Sequence, residues 1–200
     1  MERSPPVYFF GTIHVPYTKV WNYVPLNSKQ AFYTSENIYF ELDLTDSVTL
    51  TTLARCQILP NRIMLKDVVP RTLFKRLKRH LSYIRKKMPD WMAPDQRRIR
   101  PLDLYKALTR NWYKKRPIWI MLLLNVLTEY DTKGRGTSVL DTFLIHETIT
   151  QGKLVGSIES VEEQCEPLNA LHNSQVIKIA QFFNQICDNA TAKASSEVAS

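Results

Sequence analysis

The sequence predicts an α/β fold with a central, mostly parallel sheet and a helix-rich insertion over about residues 71–130. Strand-like and helix-like patterns alternate along the first quarter of the chain, which is the order typical of a parallel sheet. Helical patterns then dominate residues 71–130. With 200 residues and 44% apolar content, the chain suffices for one globular domain, which we place at residues 1–187.

The alternating part consists of short elements. Aromatic and β-prone residues predict a strand over residues 7–13, and Pro16 stops the pattern. A helix is predicted over residues 28–34, a strand over residues 38–42 and a helix over residues 48–55. Together they give the order βαβα.

The insertion begins with a strongly periodic helix. Apolar residues recur at helical spacing over residues 71–87, Pro70 precedes the first turn, and Pro89 is expected to end the helix. A second helix is predicted over residues 102–112. A third helix spans residues 118–130 and is apolar on nearly every face, so we expect it to be buried.

The last part of the chain returns to a mixed pattern. Gly134 and Gly136 predict a turn before a helix whose apolar residues are Leu140, Phe143, Leu144 and Ile149. The segment KLVGSIESVEEQCEPL predicts a short strand that runs into a helix. An amphipathic helix is predicted over residues 174–187, and the polar composition of residues 188–200 predicts a disordered tail.

Positive charge is concentrated in the middle of the chain. Residues 71–116 contain 16 Lys or Arg and three Asp, whereas the net charge of the whole chain is +8. The other residues are therefore acidic overall. Neither an RNP-type aromatic pattern nor a KH-type loop accompanies the basic region, so we predict solvated helix faces and no nucleic-acid partner.

Three sequence features bear on the compartment. No apolar run approaches the roughly 18 residues of a membrane span, and no signal peptide begins the sequence. The three cysteines, Cys56, Cys165 and Cys187, fit either free thiols or one bridge plus a thiol whose partner is missing. Asn189 lies in the only glycosylation sequon.

His14 and Glu41 are the main candidates for chemistry. His14 lies at the end of the first predicted strand and Glu41 at the end of the second, and the carboxyl ends of parallel strands open onto one crevice. Imidazole nitrogen and carboxylate oxygen together suit Mn, Co, Fe or Zn, which can activate a bound water. Between Phe40 and Leu42, the charge of Glu41 also needs a partner. The alternative is a core histidine and a strand-end carboxylate with backbone partners.

Four further residues are candidates for a supporting role. Gly11, three residues before the histidine, permits a backbone conformation or close approach that a side chain would block. Asp43 and Asp46 follow Glu41 closely, and Asp46 is equally a candidate helix cap. Glu159 ends the later strand and either reaches the same sheet edge or complements a helix N-terminus. Structural roles are assigned to the remaining histidines, which are His80, His146 and His172.

Several longer phrases are more specific than any spacing. They include YFFGTIHVPYTKVWNYVPLNSKQAF, IYFELDLTDS, LKRHLSYIRKKMPDWMAPDQR, NWYKKRPIWIMLLLNVLTEYD, RGTSVLDTFL and VEEQCEPLNAL. Across about residues 5–185, these phrases resemble the TIKI family, membrane-associated metalloproteases of the TraB/ChaN-like superfamily. The resemblance implies a TraB/ChaN-like metalloprotease domain.

The resemblance also implies an activity and its residues. Members of the family use a divalent metal, Mn²⁺ or Co²⁺ by preference, to remove an N-terminal segment from Wnt proteins and so inhibit Wnt signalling. Gly11 and His14 match the first G-x-x-H motif of the family, and Glu41 matches a glutamate at the end of the next strand. His14 and Glu41 are therefore expected to be catalytic metal ligands.

The location of the family implies three more features. Members carry a signal peptide and a membrane anchor near the C-terminus, which places the domain on the extracellular face of the cell membrane. Cys56 and Cys165 match family cysteines that can form a disulfide there. Asn189 can then carry a glycan.

The sequence departs from the family pattern in one respect. A second G-x-x-H motif, near the end of the family's domain, has no counterpart after residue 14. The signal peptide and anchor are missing as well. We interpret the sequence as the N-terminal part of the domain, with a natural short isoform and a Wnt-binding decoy as alternatives.

Overall fold

The computed structural model describes residues 5–12, 15–60, 62–92, 100–128, 132 and 138–178. Contacts divide the chain into two compact units. The first unit comprises Met1–Leu50 and Gly134–Ser160, and the second comprises Thr51–Lys133 and Val161–Ser200. No described helix is long and apolar enough to cross a membrane.

The described secondary structure is mostly helical. Its α-helices, in chain order, are α1 (Tyr17–Val20), α2 (Leu26–Thr34), α3 (Ser47–Cys56), α4 (Leu65–Val68), α5 (Arg71–Trp91), α6 (Pro101–Leu108), α7 (Pro117–Asn125), α8 (Leu140–Thr150) and α9 (Val161–Ala170). Its strands are β1 (Asn37–Phe40) and β2 (Leu154–Ser157), and short 3-10 helices occur at Trp21–Tyr23 and Trp112–Lys114.

The first unit is organised around the parallel pair of β1 and β2. Asn37 pairs with Leu154 and Phe40 pairs with Ser157, so both strands end at the same edge. Helix α8 packs against both strands and against α1. Its buried side chains, Leu140, Leu144, Ile145 and Thr148, supply the apolar contact that a two-stranded sheet needs for stability.

Polar and aromatic contacts fix the helices that lead into this sheet. The Lys153 ammonium, just before β2, donates hydrogen bonds to the carbonyls of Phe32 and Tyr33, at 2.7 and 2.8 Å. It thereby satisfies carbonyl groups in the last turn of α2, where a cation is favourable. The ring of Tyr17 stacks on that of Phe143 in α8, with centroids 4.1 Å apart. These contacts join α1, α2 and α8 to the strands.

The second unit has its own apolar core, centred on α5. The buried stripe of α5 consists of Leu77, Leu81, Ile84 and Met88. Ile84 and Met88 have no exposed surface. Buried side chains from neighbouring segments complete the cluster, namely Leu59, Leu65, Met92, Ile120, Leu123 and Leu127. Apolar residues that the sequence places at helical spacing in α5 therefore form the centre of this core.

A disulfide and an amide link three helices of the second unit. Cys56 at the end of α3 is bonded to Cys165 in α9, and this is the pairing that the family resemblance implies. The Asn169 side chain donates a hydrogen bond to the Cys56 carbonyl at 3.0 Å and accepts one from the indole of Trp119, also at 3.0 Å. The disulfide thus lies beside two partly buried hydrogen bonds, which connect α7 to α3 and α9.

The strand predicted over residues 7–13 is not observed in the part that the structure describes. Residues 7–12 have no regular secondary structure, and Phe9 is 92% exposed. An apolar stretch forms a strand only where a neighbouring strand accepts its hydrogen bonds, and residues 7–12 have no partner strand among the described residues. The described sheet has two strands, so a larger central sheet is not confirmed.

The other elements agree with the predictions in type and differ at their ends. Pro89 does not terminate α5, since the helix continues to Trp91 and the Met92 amide still donates to the Met88 carbonyl at 3.1 Å. The helix predicted at residues 102–112 ends at Leu108, and Asn111, three residues later, adopts a left-handed conformation with φ of 56° before the short 3-10 helix.

The helix predicted at residues 118–130 is shorter and less buried than expected. It ends at Asn125, and Val126 is 45% exposed. Residues 173–178 are helical, as part of the helix predicted over 174–187. The rest of that prediction, Cys187, Asn189 and the tail at residues 188–200 lie outside the described residues. The single domain at residues 1–187 stays a prediction.

The disulfide should stabilise the second unit because it reduces the conformational entropy of the unfolded chain. Because it closes a loop of 109 residues, replacing both Cys56 and Cys165 by Ser should lower the free energy of unfolding by about 2–5 kcal/mol. Denaturant unfolding without reductant measures this change. The matched control is Cys187→Ser, which removes a thiol and leaves the bridge. Equal unfolding midpoints for the double variant and the unchanged protein would contradict the expectation.

Candidate functional site

The candidate site lies at the carboxyl edge of the β1–β2 pair. Beyond the last paired residues, the Ile158 amide donates to the Phe40 carbonyl at 2.8 Å and the Glu159 amide donates to the Glu41 carbonyl at 3.0 Å. The parallel pairing thus continues for one more step on each strand. It brings together Glu41 and Glu159, two of the residues predicted from sequence to reach this edge.

The surroundings of Glu41 differ from those expected. Glu41 is exposed, although the next residue, Leu42, is only 7% exposed. The environment of its side chain is therefore less apolar than the sequence suggested. An exposed carboxylate retains part of its hydration and costs less than a buried one when it carries a charge. The partner expected for Glu41 stays a prediction.

The two aspartates that follow Glu41 have local structural roles. A carboxylate oxygen of Asp43 accepts hydrogen bonds from the amide and hydroxyl of Thr45, at 2.9 and 2.6 Å. Asp46 accepts from the amide and hydroxyl of Thr49, at 2.7 and 2.8 Å, and caps α3 as the sequence suggested. Hydrogen bonds from the Thr49 amide, the Thr49 hydroxyl and the Val48 amide lower the pKa of Asp46. Asp46 therefore serves the helix, and one oxygen of Asp43 is engaged in a turn.

His14 lies outside the described residues, so its distance from Glu41 stays a prediction. The chain on both sides of it is fixed to the start of α8. The Leu140 amide donates to the Val15 carbonyl at 2.9 Å, and the Tyr17 amide donates to the Ser138 carbonyl at 3.0 Å. Helix α8 packs on both strands, so the segment that carries the histidine is attached to the strand-bearing unit.

Asp141 is a residue of this region that the sequence analysis did not single out. Its carboxylate accepts a hydrogen bond from the Thr12 hydroxyl at 2.5 Å, two residues before His14. The two residues are 129 positions apart in the sequence, and only the tertiary fold brings them together. The sole sequence signal was that Asp141 lies in the phrase RGTSVLDTFL.

Gly11 and the other three histidines complete the positions considered from the sequence. A side chain at Gly11 would meet nothing within 4 Å among the described residues, so the close approach expected there is not observed. His172 accepts a hydrogen bond from the Ser174 amide at 3.4 Å and precedes the helical residues 173–178, which fits its structural assignment. His146 and His80 are exposed on α8 and α5. Partial desolvation lowers the pKa of His80.

The described residues do not by themselves form a metal site. Within them, no group of three or more His, Cys, Asp or Glu side chains is arranged to hold a metal ion. The oxygen of Glu41 suits Mn²⁺ or another hard divalent ion, but one or two carboxylates leave most of the coordination sphere to water. The edge can therefore attract a cation, and further ligands are needed to hold it.

Comparison with known proteins places the chain in a family. The sequence profile of the TraB/PrgY/gumN family matches residues 2–197. The chain is 52% identical over 182 residues to the metalloprotease TIKI homolog of Nematostella vectensis, covering 88% of the chain and 39% of that protein. Over 179 residues it is 54% identical to metalloprotease TIKI1 of Homo sapiens, covering 88% of the chain and 35% of that protein.

The chain also covers a similar share of the length of a less similar relative. The metalloprotease TIKI homolog of Amphimedon queenslandica is 34% identical over 207 residues, covering 99% of the chain and 41% of that protein. The chain thus spans roughly two fifths or less of the length of the relatives it matches. No solved structure matches it.

The Thr12–Asp141 hydrogen bond should hold the segment that leads to His14. Thr12→Val removes the donor, and since such a bond contributes about 1 kcal/mol, the Leu140 amide that donates to Val15 should exchange about fivefold faster. Amide hydrogen exchange followed by NMR measures this rate. Thr45→Val, which removes the corresponding bond at Asp43, is the matched control and should leave Leu140 unchanged. An unaltered Leu140 rate in Thr12→Val would show that the bond does not restrain the segment.

Proposed function

The chain belongs to the TraB/PrgY/gumN family, and on that premise we propose that it is part of a metal-dependent protease of the TIKI type. One structural observation carries the proposal: the parallel pairing of β1 and β2 brings Glu41 and Glu159 to a single carboxyl edge. The curated relatives named as metalloproteases add support, because their similarity extends over most of the chain.

The proposed ligands are His14 and Glu41, with a divalent ion that we take to be Mn²⁺ or Co²⁺. Neutral imidazole and carboxylate are compatible first ligands for either ion. Glu159, Gly11 and Asp43 are supporting residues in this proposal. A bound ion would supply activation of a water molecule for peptide hydrolysis. Glu41 contributes an exposed charged oxygen, and the bond between Thr12 and Asp141 restrains the segment that presents His14.

We also propose that β1 and β2 belong to a larger, mostly parallel sheet. Helices usually cover both faces of a parallel sheet. In this chain, Tyr39 of β1 is 56% exposed and Leu154 of β2 is 55% exposed. Strands and helices from the rest of a full-length relative would cover these side chains and bring further ligands to the edge.

The proposed substrate is the N-terminal segment of a Wnt protein, whose removal would inhibit Wnt signalling. This substrate follows from the resemblance to the TIKI family. We place the protein at the extracellular face of the cell membrane, held by an anchor outside the given sequence. The disulfide between Cys56 and Cys165 supports an oxidising compartment of this kind.

A second candidate function is a Wnt-binding decoy without catalytic activity. It was considered because no second G-x-x-H motif follows residue 14 in the sequence. A longer protein that includes the rest of a relative's sequence can distinguish between the protease and the decoy. A chimera would join this chain to the part of the Nematostella vectensis relative that follows the matched region.

With Mn²⁺ or Co²⁺, the chimera should cleave a Wnt N-terminal peptide, and the 200-residue chain should be much slower. Equal cleavage by both proteins would mean that the metal site or the completeness of the domain has been misjudged. Binding of the peptide by both without any cleavage would favour the decoy.

His14 and Glu41 should be needed for metal binding in this chimera and not for folding. His14→Ala should abolish metal-dependent cleavage while changing the stability of the metal-free protein by no more than about 1–2 kcal/mol. Glu41→Gln keeps the shape and removes the charge, so it should weaken metal binding at least about tenfold. Calorimetric metal titration and thermal melts in chelator measure these changes.

The matched controls are His146→Ala in α8 and Glu36→Gln, which changes an exposed carboxylate at the opposite end of β1 from Glu41. Both controls should retain metal affinity and cleavage. Full metal affinity in His14→Ala and Glu41→Gln, together with a greatly lowered melting temperature for His14→Ala, would show that the histidine is a core residue.

A further inference from the structure

Helix α5 carries a cationic face that the proposed protease activity does not use. Between residues 75 and 87 the sequence contains seven Lys or Arg and no acidic residue. All seven are exposed: Lys75, Arg76, Lys78, Arg79, Arg85, Lys86 and Lys87. We refer to these seven residues as the cationic face.

The core of the second unit fixes the direction of this face. The buried stripe at residues 77, 81, 84 and 88 sets the rotation of α5 about its axis. Two residues before each position of the stripe lies a position that is rotated by about 200° around the helix axis. These positions are residues 75, 79, 82 and 86. Three of the four are the cations Lys75, Arg79 and Lys86. They form an outward row about 16 Å long on a rigid helix.

A row of like charges costs the helix stability. Lys75 and Arg79 are four residues apart, and Lys75 and Lys78 are three apart, which are spacings at which like charges repel on a helix. The carboxylate nearest to this row in α5 is Asp90, which pairs with Lys87 at 3.3 Å. A linear partner with closely spaced anionic groups would relieve the repulsion and release the counterions that the face attracts.

The disulfide restricts the chemical class of that partner. A Cys56–Cys165 bridge fits the extracellular location proposed above, because disulfides persist in oxidising compartments. Anionic phospholipids are concentrated in the cytoplasmic leaflet, so a membrane surface is a poor match there. The sequence also lacks an aromatic motif for stacking on nucleic-acid bases. Sulfated polysaccharides remain as linear polyanions of the extracellular space, and basic patches of this kind bind heparin.

We propose that the cationic face of α5 is a binding surface for a linear sulfated polysaccharide. The row Lys75–Arg79–Lys86 makes the central contacts with sulfate groups, and the flanking cations widen the surface on both sides. The surface belongs to the second unit. It would hold the protein in the sulfated glycan layer at a cell surface.

The test measures binding of the 200-residue chain to immobilised heparin as a function of salt. The triple variant Lys75→Ala, Arg79→Ala and Lys86→Ala should bind at least about tenfold more weakly, with a salt slope shallower by about two to three. Alanine is a good helix former and relieves repulsion, so the variant should melt no lower than the unchanged protein. The control replaces three exposed cations outside α5 by Ala, namely Arg55, Lys66 and Lys178, and should change affinity less than twofold.

The remaining arms of the experiment decide between partners. Desulfated heparin should bind poorly, as should vesicles with phosphatidylserine and duplex RNA at the same salt concentration. An equal loss of affinity in the triple variant and the control would overturn the proposal, because net charge alone would then explain the binding. Stronger binding to the vesicles or the RNA than to heparin would also overturn it.

Discussion

The parallel pairing of β1 with β2 determines where the candidate site can form. Parallel strands end at the same edge, so the residues that follow Phe40 and Ser157 are necessarily neighbours. A two-stranded sheet is marginal by itself. Here α8 packs against both strands, and the Lys153 ammonium joins the start of β2 to the end of α2. The same α8 holds the backbone at Val15, so one helix supports both the strand edge and the segment before α1.

The second unit depends on a different combination of interactions. The stripe of α5 supplies an apolar core, and the Cys56–Cys165 bridge restricts the unfolded chain. Because the core fixes the rotation of α5, it also fixes which side chains are exposed. The charges of α5 are thus arranged by the packing of its apolar residues. The spacing of apolar residues in α5 therefore determines both the core of this unit and the position of its surface charges.

Features that depend on interactions between residues close in the sequence could be predicted, whereas contacts between residues far apart in the sequence mostly could not. Helix α5 follows from local periodicity, and the capping of α3 by Asp46 follows from residue type and position. The rule that parallel strands share an edge made the meeting of Glu41 with Glu159 one of the two alternatives that the sequence left open for Glu159. The bond between Thr12 and Asp141 was not, because no local pattern records a contact across 129 residues. The strand expected at residues 7–13 failed in its described part for the same reason, since a strand requires a partner that its own sequence does not specify.

The proposal that Glu41 is a metal ligand, at the edge it shares with Glu159, is tested directly by titrating isotopically labelled protein with Mn²⁺ and recording NMR spectra, because the paramagnetic ion broadens the signals of nearby amides. We expect the amides of Glu41 and Glu159 to broaden at lower Mn²⁺ concentrations than the amide of Glu36, an exposed carboxylate at the opposite end of β1. Broadening of all three amides at the same concentration would show that the carboxyl edge binds the ion no better than another exposed carboxylate, and the proposal would then be wrong.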